Sequence, residues 1–217
     1  MDQKVQHIQQ HSPSIPILED RSKLVSLKNC DFDLLYEPSV KRGYKYMVRE
    51  AILEKIGRIS NHLKKEDKTL IIRSAWRSVD HQLLLWNNCF RNFQEEFPEK
   101  TPLEIKELTS SFIAPGVKST HLTGGAVDAL IYDNKTKKVM NFGTNVDYKI
   151  TLSEQCYPYH PDISSLALEN RMLLIGLFEN EGFVVDAREY WHFDYGNVIW
   201  ALEKGEESAF YEIIKEQ

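Results

Sequence analysis

Asp128 sits inside an apolar run, Gly125-Ala126-Val127-Asp128-Ala129-Leu130-Ile131-Tyr132. The run reads as a buried strand. Side chains alternate along a strand, so Asp128 shares a face with Ala126 and Leu130. A carboxylate among such neighbours is costly unless it is paired or bound to a metal. Seven residues earlier stands His121, in Ser119-Thr120-His121-Leu122-Thr123-Gly124-Gly125. The glycines let the backbone turn tightly and approach closely. Histidine and aspartate are both good ligands for a zinc-type ion, but two ligands do not make a site. The best candidate for a third is far downstream, in Glu189-Tyr190-Trp191-His192.

The chain has 217 residues and a formal charge of −5. That length suits one domain with a sizeable core. The negative balance, with lysine and arginine scattered, argues against a nucleic-acid partner. The longest apolar runs, such as 172–178, are too short to span a bilayer. The start of the sequence lacks the apolar segment of a secretory signal. Cys30, Cys89 and Cys156 are odd in number and far apart, so they suggest neither a disulfide framework nor a cysteine zinc site. A cytoplasmic protein without nucleic-acid or membrane partners is the expectation.

Residues 1–20 read as a polar lead-in, with Pro13 and Pro16 breaking any helix. Residues 21–217 read as a single domain. Short strand pieces fit 24–36. The apolar spacing of Tyr44, Met47, Val48, Ala51, Ile52, Ile56, Ile59 and Leu63 predicts a helix over 44–63. Residues 69–76 read as a central strand. Ser78 starts a second helix with Val79, Leu83, Trp86, Phe90 and Phe93 on its apolar face. Thr101, Pro102 and Glu104 form a strong helix start. A turn at 133–136 leads into 139–142, and 143–163 reads as a long irregular loop of the kind that is often functional. The last strong helix spans 165–181, with Gly182 placed to end it. Residues 183–185 and 191–195 read as strands. Interleaved helices and short turn-linked strands give an α+β fold around a mainly antiparallel central sheet.

The pattern Ser-x-His-x-x-Gly-x-Ala-x-Asp over 119–128, followed by Glu-x-x-His over 189–192, resembles the D-alanyl-D-alanine dipeptidases and their D,D-carboxypeptidase relatives. These are zinc peptidases of the hedgehog/DD-peptidase fold. The similarity runs from about Tyr44 to Ala201. It is also carried by Ala75-Trp76-Arg77 and by Phe142-Gly143-Thr144-Asn145-Val146-Asp147. The resemblance implies one Zn2+ per chain on His121, Asp128 and His192. Three protein ligands with an open fourth position is the catalytic zinc pattern.

The same resemblance makes Glu189 the general base. Its odd spacing from His192 places it on the loop or bulge entering the strand, close to the metal but not a ligand. Arg77 matches the arginine that stabilises the tetrahedral intermediate, although Ser78 stands where the family usually has proline; Arg73 is the competing choice. Asp147 matches the carboxylate that holds the substrate's free ammonium, and Ser119 a residue near the substrate. His7, His11, His62, His81 and His160 lack a partner pattern. The implied activity is hydrolysis of D-alanyl-D-alanine or a similar short dipeptide. The rivals are a D,D-carboxypeptidase trimming peptidoglycan stem peptides and a non-catalytic, hedgehog-like zinc-bearing binding module.

Overall fold

The computed structural model describes residues 3–37, 45–144 and 154–215. The main sheet has the strand order β2(Leu34–Tyr36), β4(Lys68–Ser74), β5(Ala126–Asp133), β8(His192–Asp194) and β7(Val184–Val185), with β6(Lys138–Val139) pairing beside β5. The β2–β4 pair is parallel and the other pairs are antiparallel, so the sheet is mixed and the fold is α+β. A separate antiparallel pair joins β1(Leu24–Ser26) to β3(Met47–Arg49).

The helix expected over 44–63 begins later than its apolar spacing suggested. Met47 and Val48 belong to β3, and α2 runs Glu50–Lys65. Tyr44 lies outside the described residues. Strand geometry wins here because Met47 and Val48 pair with Ser26 and Val25, while the Met47 carbonyl accepts from Trp76 N at 2.8 Å. From Ile52 onward the periodicity holds, and Ile52, Ile56, Ile59 and Leu63 are buried in the core.

The polar lead-in also differs from expectation. Gln3–His11 is a helix, α1, stopped by the short 3-10 turn that contains Pro13. Val5 is buried, and Lys4 pairs with Glu203 of α6(Val198–Lys204) at 2.7 Å. Beyond the prolines the chain is extended: Leu18 N and Asp20 N donate to the carbonyls of Ala209 and Phe210.

Arg49 ties these distant segments to the motif loop. Its guanidinium donates to Glu19 at 2.7 Å, to the carbonyls of Ser22 and Glu212 at 2.8 and 3.1 Å, and to the Thr123 carbonyl at 2.8 Å. Arg49 is buried but Glu19 is partly exposed, so losing these charge-assisted hydrogen bonds costs about 1.5–3 kcal/mol. Arg49→Ala should therefore lower the melting temperature by roughly 3 °C or more, given about 2–4 °C per kcal/mol at this size. A thermal scan showing a shift under 2 °C would remove Arg49 as a tether.

α3(Val79–Glu96) starts at Ser78, whose hydroxyl accepts from His81 N, and α4(Pro102–Phe112) carries the expected capping box. The buried face of α3 is the expected one only in part. Phe93 is buried as expected, but Leu83 is exposed and Gln82 is buried instead. α5(Ser165–Asn180) ends before Gly182, whose φ of 87° suits the residue after a helix.

α5 fixes the orientation of β8. Phe178 stacks on Phe193, with centroids 3.9 Å apart and planes 7° apart. Burying a phenylalanine contributes roughly 1.5–3 kcal/mol. With Phe193 committed to α5, alternation sends His192 and Asp194 to the opposite face of the sheet.

Candidate active site

Strand register assembles the site. Asp128 on β5 lies opposite His192 on β8, and on its other side opposite Ser74 at the end of β4. His121 enters from the 3-10 turn Thr120–Thr123, which Gly124 closes with φ 72°. A Cβ on Gly125 would come within 2.3 Å of the Tyr195 carbonyl, so only glycine lets the turn lie against β8. The two glycines thus do what the sequence suggested, one at the turn and one at the close approach.

His121, Asp128 and His192 present ligand-type atoms that all lie within 4.8 Å of one another. His121 Nε2 is 3.2 Å from Asp128 Oδ2, and His192 Nδ1 is 2.9 Å from Asp128 Oδ1. The ring nitrogens facing away are both held. His121 Nδ1 donates to the Ala75 carbonyl at 2.7 Å, and His192 Nε2 faces Asp194 Oδ1 at 3.1 Å. Two imidazoles and one carboxylate, all buried and convergent, fit a divalent ion of the zinc type.

Burial, reinforced by Arg77, pushes the His121 imidazole down to about 4, so it is neutral and ligand-competent at ordinary pH. Burial alone would raise Asp128, but contact with His121 and His192 reverses it and holds the carboxyl well below its usual range. His192 goes the other way. Burial pulls it down, and Asp194 with Asp128 more than reverses that, holding it well above 6.5.

Arg77 leaves the end of β4 and is held at three points. It donates to Ser74 Oγ at 3.0 Å, Gln82 Oε1 at 3.2 Å and Asp128 Oδ2 at 3.1 Å. Gln82 in turn donates to the Ala114 carbonyl at 2.8 Å, which explains why α3 buries a polar side chain. Arg73, the competing arginine, instead pairs with Glu37 at 3.1 Å and lies over the Trp191 ring.

Glu189 lies in the turn that enters β8, and the His192 amide donates to its carbonyl at 3.1 Å. Its side chain lines the same cavity, about 840 Å³, as His121, Asp128, His192, Arg77 and Ser119. Burial, with Asp186 adding to it, pushes the Glu189 carboxyl up to about 7. Asp147 lies outside the described residues. Sequence reasoning passed over Gln82, Asp186 and Asp194, although the spacing of Asp194 from His192 along a strand was a usable signal.

The Glu189 shift has a consequence for stability. Between about 4.5 and 7 the folded protein keeps a proton that the unfolded chain releases. Stability therefore falls as pH rises through that window. At about 1.4 kcal/mol per unit, the penalty above pH 7 is on the order of 3 kcal/mol. Metal-stripped Glu189→Gln should thus melt higher than metal-stripped wild type at pH 8, and the gap should close near pH 4.5. Equal melting curves at pH 8 would mean the carboxyl is not perturbed.

A family model described as D-ala-D-ala dipeptidase matches residues 32–206. The D-alanyl-D-alanine dipeptidase of Escherichia coli (strain K12) is 29% identical over 125 residues, which are 58% of this chain and 54% of that protein. The chain thus spans about half the length of that relative. The D-alanyl-D-alanine dipeptidase of Enterococcus faecium is 24% identical over 156 residues, 64% of this chain and 74% of that protein. Among solved structures, a mutant of the vancomycin resistance D,D-pentapeptidase VanY, in complex with Zn(II), superposes with a TM-score of 0.53 at 15% identity. That match covers 88% of this chain and 90% of the other and speaks to the fold alone.

Proposed function

This chain belongs to the D-ala-D-ala dipeptidase family, and on that premise we propose that it is a zinc peptidase that hydrolyses D-alanyl-D-alanine or a similar short dipeptide. The observation that carries the reading is the convergence of His121, Asp128 and His192 on one cavity with Glu189 and Arg77. One ion per chain would be held by those three side chains. When bound, zinc supplies Lewis acidity and makes water more acidic.

The chain's own residues do the rest. A carboxyl near 7 can take a proton from the attacking water and return it to the leaving amine. Arg77, fixed by Ser74, Gln82 and Asp128, keeps a guanidinium where the scissile carbonyl oxygen gains charge. Ser119, buried beside His121 and lining the cavity, contacts the substrate. Asp147 receives the substrate's ammonium.

Residues 21–217 form the single peptidase domain, supported by one core cluster that reaches from Leu27 to Tyr211. Among the described residues no helix is long and apolar enough to cross a membrane. Cys30, Cys89 and Cys156 form no disulfide among the described residues, which suits the reducing cytoplasm.

A second reading, a D,D-carboxypeptidase acting on longer peptides, is favoured by the cavity volume, which is near the upper end of the roughly 300–1,000 Å³ usual for ligand pockets. The test of the function is D-alanine release from D-Ala-D-Ala by the purified protein, zinc-loaded and then chelated. Release that needs zinc supports an enzyme. No release from dipeptide or pentapeptide leaves the binding-module alternative.

A further inference from the structure

His192 and Asp194 are two residues apart on β8, so both leave the strand on the same side. Asp194 is 1% exposed and lies outside the ligand set proposed above. Its Oδ1 is 3.1 Å from His192 Nε2 and accepts from Asn197 Nδ2 at 2.8 Å. Asn197 is itself fixed, because its Oδ1 caps α6 by accepting from Ile199 N and Trp200 N. The carboxylate is thereby locked against the ring, with Thr120 Oγ1 also 3.1 Å from the same nitrogen.

A neutral imidazole has one N–H and one lone pair, and its partners decide which nitrogen has which. At His121 the Ala75 carbonyl accepts only, so Nδ1 carries the hydrogen and the Nε2 lone pair turns to Asp128. At His192 the pattern is reversed. Both neighbours of this ring are carboxylates, and a metal taking Nδ1 on the Asp128 side would leave the ring's one hydrogen on Nε2, where Asp194 is set to accept it. Without Asp194 the ring is free to take the other tautomer or to turn over, and either removes the Nδ1 lone pair from the site.

We propose that Asp194 is a positioning residue that holds His192 in the Nε2–H tautomer and so presents Nδ1 for metal binding. The inference rests on the zinc reading above. Outer partners of ligating histidines typically contribute about 10–100-fold in metal affinity.

The test is zinc affinity by chelator competition on the full chain, together with ¹⁵N NMR of the zinc-loaded wild type. Asp194→Ala should bind zinc about 10–100-fold more weakly. Asp194→Asn keeps the shape and an acceptor for Asn197, so it serves where the alanine variant does not fold; it should still bind several-fold more weakly. The wild-type spectrum should place the His192 proton on Nε2. Wild-type zinc affinity in the folded variants, with only the metal-free melting temperature lowered, would reduce Asp194 to a structural role and overturn the proposal. A proton on Nδ1 would overturn it as well. If the wild type binds no zinc, the underlying reading fails and the proposal falls with it, an outcome distinct from a wild type that binds and a variant that binds equally.

Discussion

Replacing Glu189 with alanine is expected to lower kcat by about 10²–10⁴-fold while the zinc content stays at one per chain. The expectation follows from where the side chain sits. Glu189 lines the cavity of the three ligand candidates but is outside the cluster they form. Burial and Asp186 bring its carboxyl to about 7, where it can both take and return a proton near neutral pH. A base with an ordinary carboxyl would take the water's proton less readily, because it is weaker. Glu189→Gln keeps the volume and removes the proton traffic, so it should fall by a similar factor. Steady-state kinetics with metal analysis on the same preparations separates the outcomes. Activity within a few-fold of wild type would end the role of base, and loss of zinc would make Glu189 a ligand instead.

His192→Ala should lose zinc and, with it, turnover. The loss of affinity should go well beyond the roughly 10–100-fold that outer partners contribute, because a ligand itself is removed. The substitution also leaves Asp128 and Asp194 without the ring that lies between them, at 2.9 and 3.1 Å. Two buried carboxylates deprived of a shared partner are costly, so the metal-free variant should melt below metal-free wild type. Full zinc occupancy in His192→Ala, measured by metal analysis after desalting, would remove His192 from the site.

Much of this site was legible before the fold was. A buried aspartate inside Ala126–Tyr132 demands partners, and histidine, glycine and glutamate at fixed spacings point to specific chemistry. The pairing of Asp128 with His192 across two strands follows from alternation once both strands are recognised. What the sequence hid depends on tertiary choice. Met47 and Val48 fit a helical stripe and a strand equally well, and pairing with β1 decides between them. Leu83 looked like a core residue of α3, yet the helix turns Gln82 inward because Arg77 and the Ala114 carbonyl need it. α6 is only seven residues long, too short for its periodicity to stand out, although Asn197 and Gly205 mark its two ends. Arg49 gave no signal at all, since its partners come from positions 19, 22, 123 and 212.

The substrate is the centre of the account, and its free amine is the feature to probe. Asp147 would face that ammonium in a charge-assisted hydrogen bond, which is stronger than a neutral one. Acetylating the amine removes the charge and leaves a carboxylate unpaired, at a cost of about 10²-fold or more in kcat/KM. Asp147→Asn should weaken turnover of the free dipeptide and narrow that gap. The most direct measurement is kcat/KM of the zinc-loaded wild type on D-Ala-D-Ala and on N-acetyl-D-Ala-D-Ala, side by side. The account predicts cleavage of the free dipeptide with a preference of about 10²-fold or more over the blocked one. Equal cleavage of the two, or cleavage of the blocked substrate alone, would contradict it.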